Sequence, residues 1–269
     1  MIITNLTGGL GNQMYQYAFG RYLANKHHTV LKYHFTNALF NTQRELTLQV
    51  FNIRATPTSL KDLHKFGVMS NRFLNRVFYL LDDRLKISFN KHIHTQRFPY
   101  DYDEVLRQIP NDSYVQGYFA NPKYFQGIEK LLQKEFTPRK KLDSRNLKLL
   151  KEIKKTNSVS LHVRRGDYLT NSANIPKFLG EEFYKKAIRK IKSKVRNPAF
   201  YVFSDDIPWC REAFANLKSV QFVEHNRGNN AYKDLLLMAA CKHNIIANST
   251  FSEWGSWLNS FRNKTVLKP

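Results

Sequence analysis

The alternation of apolar and polar positions divides the chain into strands and helices that follow one another along much of its length. Ile2-Ile3-Thr4-Asn5-Leu6 reads as a strand, and Thr7-Gly8-Gly9-Leu10-Gly11-Asn12-Gln13 as a glycine-rich turn. Residues 14–26 read as a helix with Met14, Tyr17, Ala18, Tyr22 and Leu23 on one side. Strand, glycine-rich turn and helix together open an α/β nucleotide-type unit. The stretch 56–102 is aromatic and basic, with helices expected over 59–66 and 72–81; a strand is expected over 115–119. Proline 138, a basic run and a helix over 143–155 look like a connector. Beyond it, strands are expected over 159–163, 200–203, 220–223 and 244–247. Helices are expected over 181–195, 209–217, 230–241 and 252–261. This alternation predicts a parallel sheet with helices on both faces.

A chain of 269 residues can form two modest domains, and the connector places them at 1–142 and 143–269. The 42% hydrophobic content excludes a disordered chain. Two cysteines, Cys210 and Cys241, exclude a disulfide framework and fit no metal-ligand spacing. No segment reads as a signal peptide, and no run approaches the roughly 20 apolar residues that span a bilayer. The expectation is therefore a cytoplasmic protein.

Charge changes the picture more. Forty-three basic against 21 acidic residues leave +22, which implies an anionic partner. Nucleic acid, anionic lipid and a nucleotide-bearing substrate compete for that place. From Lys185 to Arg196 the cations form the outer face of an amphipathic helix, a pattern that also fits a merely solvated face.

Chemistry concentrates at the ends of two expected strands. Leu161-His162-Val163-Arg164-Arg165-Gly166-Asp167 ends a buried strand in paired guanidinium groups. Either Asp167 neutralises an arginine, or an anion sits there, because the arginine fork matches phosphate oxygens. Asn248-Ser249-Thr250-Phe251-Ser252 stands between a strand and a helix. Its hydroxyls suit a helix cap, and the same geometry holds a phosphate. The glycine-rich turn matches neither the dinucleotide fingerprint nor the P-loop. Asp101-Tyr102-Asp103 has the D-x-D pattern of metal-dependent sugar transferases, but no strand leads into it. None of the nine histidines has zinc-ligand spacing.

Together these segments resemble the bacterial α-1,2-fucosyltransferases, glycosyltransferase family 11. The likeness runs in order along most of the chain. It begins with Leu6 to Ala18 and continues with His162 to Tyr168 and Phe203-Ser204-Asp205-Asp206. It closes with Asp234-Leu235 and His243 to Ser252. The His-x-Arg-Arg-x-Asp segment is shared with α-1,6-fucosyltransferases. Glu253 departs from the pattern, standing where the family usually has an aromatic residue.

The resemblance implies a GT-B fold, with two Rossmann-like domains facing a cleft: an N-terminal acceptor-side domain and a C-terminal donor-binding domain. It implies inverting transfer of L-fucose from GDP-fucose to a glycan hydroxyl, O-2 of a galactoside, without cofactor or metal. By the same likeness Arg164 holds the β-phosphate with Arg165 beside it, and His162 and Asp234 meet the guanine. Ser249, Thr250 and Phe251 bind the diphosphate, and Gly11 and Asn12 reach the donor from the first domain. Arg164 is expected to stabilise the departing charge, and Asp167 either takes the acceptor proton or orients an arginine. The basic exterior suits peripheral contact with the inner face of an anionic membrane, where lipid-linked acceptors reside. Two alternatives stand beside this reading: a basic nucleic-acid-binding protein, and a same-fold transferase that uses another sugar nucleotide. Nucleic acid is not the expected partner, because the charge is dispersed and no RNA-binding signature is visible.

Overall fold

The structure, a computed structural model, describes residues 1–36, 45–68, 91–96, 101–170 and 178–269, with all their side chains except those of Asp167 and Thr170. The expected helix over 72–81 lies outside the described residues. The chain divides into two compact units, Met1–Arg139 and Lys140–Pro269.

In the first unit, strands β1 (Ile2–Leu6), β2 (Leu31–Phe35), β3 (Thr56–Pro57), β4 (Ile93–Thr95) and β5 (Ser113–Gln116) form one sheet in the order β3-β2-β1-β5-β4. Every pairing is parallel. All five residues of β1 are buried, as a central parallel strand covered on both faces requires. The strand expected over 115–119 is shifted: it ends at Gln116, where Gly117 turns the chain with φ 153°. β2, β3 and β4 carried no clear alternation, being short and partly polar, and the sequence reading missed them.

Helix α1 (Leu10–Lys26) begins four residues before its expected start, so Gly11, Asn12 and Gln13 lie in its first turns rather than in a loop. Two buried glutamines hold that start in place. Gln13 donates to the carbonyls of Gly8 and Glu45 and accepts from the amides of Thr47 and Leu48. Gln16 accepts from the Thr7 amide and donates to the Gly117 carbonyl. These bonds satisfy backbone groups that the sheet edge leaves unpaired. Gly20 lets α1 lie on the sheet, since a Cβ there would meet Thr4 Cβ at 2.9 Å. Outward, Phe19 packs on Phe119 and Tyr124, and Tyr17 on Phe136. Among the described residues the unit also contains helices α2 (Leu60–Lys65) and α3 (Glu129–Glu135), α2 closed by a Ser59–Asp62 capping box. Glu135 is buried with the Tyr17 hydroxyl and the Arg21 guanidinium as partners.

The second unit opens with α4 (Ser144–Lys155), N-capped by Asp143. β6 (Asn157–Val163), α5 (Gly166–Thr170), α6 (Gly180–Lys194), β7 (Pro198–Ser204), α7 (Ile207–Ala213) and β8 (Val220–Val223) follow. α8 (Ala231–Ala240), β9 (His243–Ile245), α9 (Thr250–Leu258) and β10 (Val266–Leu267) complete it. The sheet order is β10-β9-β6-β7-β8, parallel throughout. Counted within the unit this is the doubly wound order of a Rossmann sheet. Its winding reverses between β6 and β9, where such folds bind ligands beyond the carboxyl ends of the strands. α6 turns Tyr184, Ala187, Ile188 and Ile191 onto the sheet, the three-and-four spacing of an amphipathic helix. Cys210 and Cys241 are buried free thiols.

Candidate active site at the carboxyl edge of the second sheet

β6 delivers His162 and Val163 as its last residues, and Arg164 and Arg165 follow directly. β7 runs alongside with Val163 opposite Ser204, so Asp205 and Asp206 emerge level with the two arginines. The arginines are neutralised across this strand pair. Arg164 pairs with Asp205 Oδ2 at 3.1 Å, and Arg165 with Asp206 Oδ2 at 2.5 Å. Asp205 Oδ1 also accepts from the Arg165 amide at 3.0 Å. Gly166 makes room for this approach, since a Cβ there would lie 3.1 Å from Asp205 Oδ2. Sequence reading weighed Asp167 as the arginines' partner. Two carboxylates come from the Ser204-Asp205-Asp206 segment, to which the sequence alone assigns no role. Asp167 falls in α5, and its side chain lies outside the described residues.

The two guanidinium groups differ in setting. Arg165 lies over the rings of Trp209 and Phe178 at 5.3 and 5.8 Å. Asp206, its partner, also caps α7 by accepting from the Trp209 amide at 3.1 Å. Arg165 is thus part of the scaffold. Arg164 pairs with Asp205, and its guanidinium lies 5.9 Å from the Tyr168 ring. The Tyr168 hydroxyl donates to the Asn248 carbonyl at 2.9 Å, tying α5 to the loop before α9.

That loop leaves β9, the neighbour of β6, and enters α9 at Thr250. Ser249 is the N-cap residue, yet its hydroxyl makes no cap bond, so the plain capping role is not realised. Ser252 instead bonds back to the carbonyls of Ala247 and Ser249. The start of α9 therefore lies beside the Arg164 strand end, and the positive end of a helix dipole there is suited to anions. Phe251 packs its ring 5.7 Å from that of His162. His162 is buried, and its Nδ1 has no hydrogen-bond partner among the described residues. Burial, and then the Arg164 charge, push its pKa down to about 3, so the ring is neutral. A neutral ring with an unused buried nitrogen is costly unless something polar meets it.

Asp234 sits in the first turn of α8, at the same edge because α8 runs antiparallel to the strands. Its Oδ1 accepts from Asn226 Nδ2 at 2.7 Å. Asn226 is in turn locked to Asn146 of α4 by a reciprocal amide pair, 2.9 Å in each direction. Asn146 continues the chain to Asp143 Oδ2 and accepts from His225 Nε2 at 3.1 Å. Burial raises the Asp234 pKa to about 7, against the pull of the Asn226 amide and Arg227. Neither asparagine stood out in the sequence; only their burial, with Asn146 fully enclosed, marks them.

In the first unit, Gly8 adopts φ 74°, and its missing side chain leaves room for Asn12 Nδ2, which a Cβ would approach at 2.9 Å. Gly11 and Asn12 thus lie at the carboxyl edge of their own sheet. Asp101-Tyr102-Asp103 is a turn, with Asp103 accepting from the Val105 amide. Among the described residues no group of three or more His, Cys, Asp or Glu side chains is arranged to hold a metal ion.

Comparison with known proteins agrees with this architecture. The chain is 32% identical to an α-1,2-colitosyltransferase of Escherichia coli, over all of this chain and 91% of that one. It is 32% identical to the O-antigen biosynthesis glycosyltransferase WbnK of Escherichia coli, over 98% of this chain and 92% of that one. Among solved structures it resembles NodZ α-1,6-fucosyltransferase soaked with GDP-fucose. That match has a TM-score of 0.59 and 15% identity, covering 96% of this chain and 91% of that one. The fold is therefore of the GT-B type, with a parallel α/β sheet in each unit. The family model for glycosyl transferase family 11 matches residues 1–268, and the chain belongs to that family, as a fucosyltransferase-like glycosyltransferase.

Proposed function

We propose that this protein transfers L-fucose from GDP-fucose to a glycan hydroxyl, O-2 of a galactoside, with inversion at the anomeric carbon and without a metal. The observation that carries the reading is the arginine pair at the winding reversal of the second sheet, beside the start of α9. The acceptor oxygen forms a bond to the sugar C1 as the bond from C1 to the β-phosphate oxygen breaks. Negative charge grows on the departing diphosphate, and a fixed cation must meet it. Arg164 fills that role, with the Ser249 and Thr250 hydroxyls and the α9 amides on the remaining oxygens. Arg165, Asp205 and Asp206 hold Arg164 in place. The acceptor proton passes to Asp167 or to solvent.

Guanine recognition falls to Asp234 and His162. One carboxylate accepts from both N1–H and the 2-amino group, a pattern adenine does not offer. The galactoside is taken to be lipid-linked, and the protein to work in the cytoplasm as a peripheral partner of an anionic membrane. Among the described residues no helix is long and apolar enough to cross a membrane.

Incubation with labelled GDP-fucose and a panel of galactose-terminated oligosaccharides, with and without EDTA, tests the reaction. An α-linked product at O-2, formed equally in both, is expected. Transfer abolished by EDTA and restored by a divalent ion would overturn the metal-free step. Because one relative is named a colitosyltransferase, GDP-colitose is the alternative donor. Competition between the two donors decides between them.

A further inference from the structure

Charge in the second unit is sorted by sheet edge. Among the described residues every ion pair of this unit lies toward the carboxyl edge: Arg164–Asp205, Arg165–Asp206, Lys185 with Glu181 and Glu182, Arg211–Glu224 and Lys233–Asp143. The amino edge has cations without such partners. Lys154 and Lys155 close α4, Lys192 and Lys194 close α6, Arg196 follows, and Lys218 precedes β8; all are exposed. Because all five strands are parallel, the turns bearing these residues share one end of the sheet. The turns are also joined. Asn157 donates to the Arg196 carbonyl at 2.7 Å, Lys242 reaches Asn157 Oδ1 at 3.0 Å, and Asn259 donates to the Lys242 carbonyl at 3.3 Å. Beside them, in the turn before β10, Phe261 is 39% exposed with Arg262 next to it.

We propose that this amino edge of the second sheet is the surface that docks on an anionic lipid bilayer. Five parallel strands make a face roughly 20 Å wide, broad enough to meet many headgroups at once. Lysine predominates, which suits diffuse attraction to headgroups more than the paired recognition of phosphates that arginine favours. One exposed aromatic beside the cations fits an interfacial anchor. A single-strand nucleic-acid groove would need a row of stacking rings instead. The proposal deepens the peripheral reading above but does not depend on the donor. It also sets an orientation, with the carboxyl edge of this unit directed away from the lipid.

Co-sedimentation with phosphatidylcholine vesicles, with and without phosphatidylglycerol, at low and high salt, tests it. Binding that needs phosphatidylglycerol and weakens with salt is expected. Charge reversal of Lys154, Lys155, Lys192 and Lys194 to Glu is expected to reduce binding by at least about tenfold. A matched set in the first unit, Lys61, Lys91, Lys130 and Lys134 to Glu, carries the same net charge and is expected to reduce it far less. Equal loss in both sets, no loss in either, or no binding by the unaltered protein overturns the proposal. So does displacement of vesicles by polyuridylate bound through the same lysines. Should the reversed set fold poorly, Lys154→Gln with Lys155→Gln, and Phe261→Ser, give milder tests of the same face. Stabilisation by GDP, measured in parallel, reports on the donor site independently and is expected to persist in every variant.

Discussion

Asn226 donates to Asp234 through the same amide nitrogen that bonds Asn146, so the carboxylate at the start of α8 is aimed by a side chain of α4 two steps away. Turning the Asn226 amide over would set its oxygen against that carboxylate, so its orientation is fixed by its neighbours. Oδ1 of Asp234 is thereby fixed in place and keeps a second lone pair, so under the proposed recognition both oxygens can accept from a base. Asn226→Ala removes one hydrogen bond to a partly buried charged group, about 1–3 kcal/mol. GDP affinity, by calorimetry, is expected to fall by tenfold or more. Asn226→Asp, which sets two carboxylates together, is expected to be worse. Unchanged affinity in both would remove Asp234 from base recognition.

Acidity should show in the same measurement. The Asp234 carboxyl titrates near pH 7 because it is buried, although Asn226 and Arg227 pull the other way. Of its charged neighbours, Lys233 is engaged with Asp143, and His225 is held toward its neutral form by burial. Guanine needs the ionised carboxylate. GDP binding should therefore strengthen as pH rises through about 7 and level off above it. Below that point affinity is expected to drop by up to tenfold per pH unit. In the ligand-free protein the sign is opposite. Folding takes up a proton at Asp234, so its contribution to stability declines between the ordinary carboxylate pKa and about 7. Asp234→Asn should flatten both dependences and weaken binding at every pH.

The two arginines should separate by their supports. Arg164→Lys is expected to lower kcat/KM by roughly tenfold to a hundredfold, since a point charge replaces a two-pronged donor. Folding should change little. Arg165→Lys forfeits contact with Trp209 and Phe178 and the anchored Asp206, so its larger effect is expected on Tm. Kinetics and thermal unfolding of both variants check this. Equal kinetic losses would mean that both touch the phosphate.

Gly8→Ala asks for a side chain at φ 74° and within 2.9 Å of Asn12 Nδ2. A non-glycine residue in this region costs about 1–3 kcal/mol, and the close approach adds to it. Thermal unfolding should fall by several degrees. No change would show that the turn relaxes freely.

Much of the second unit was legible because its helices are amphipathic and its strands long enough to bury. β6 and β7 carry apolar stretches and α6 a helical apolar period, each with one meaning. The first unit hid more. α1 is buried on most of its surface, so its start carries no amphipathic signal, and the pattern leaves Gln13 in the turn. The polarity of Gln13 and Gln16 serves backbone groups of loops far away in sequence, and no local pattern encodes that. His162 and Arg164 could be found from type and position. Asp205, Asn226 and Asn146 could not, because their meaning lies in register and in partners up to 80 residues away.

Among the described residues the sheets are flanked by β3 and β4 and by β10 and β8; β3 and β10 contain two residues each, and β3 includes Pro57, which has no N–H to offer. A second copy approaching along β3 or β10 would find almost no free ladder to extend. Fully parallel sheets form slowly and leave strands exposed while they assemble. Blunt flanks and a large positive charge should together keep newly made chains dispersed in a crowded solution until both units have closed.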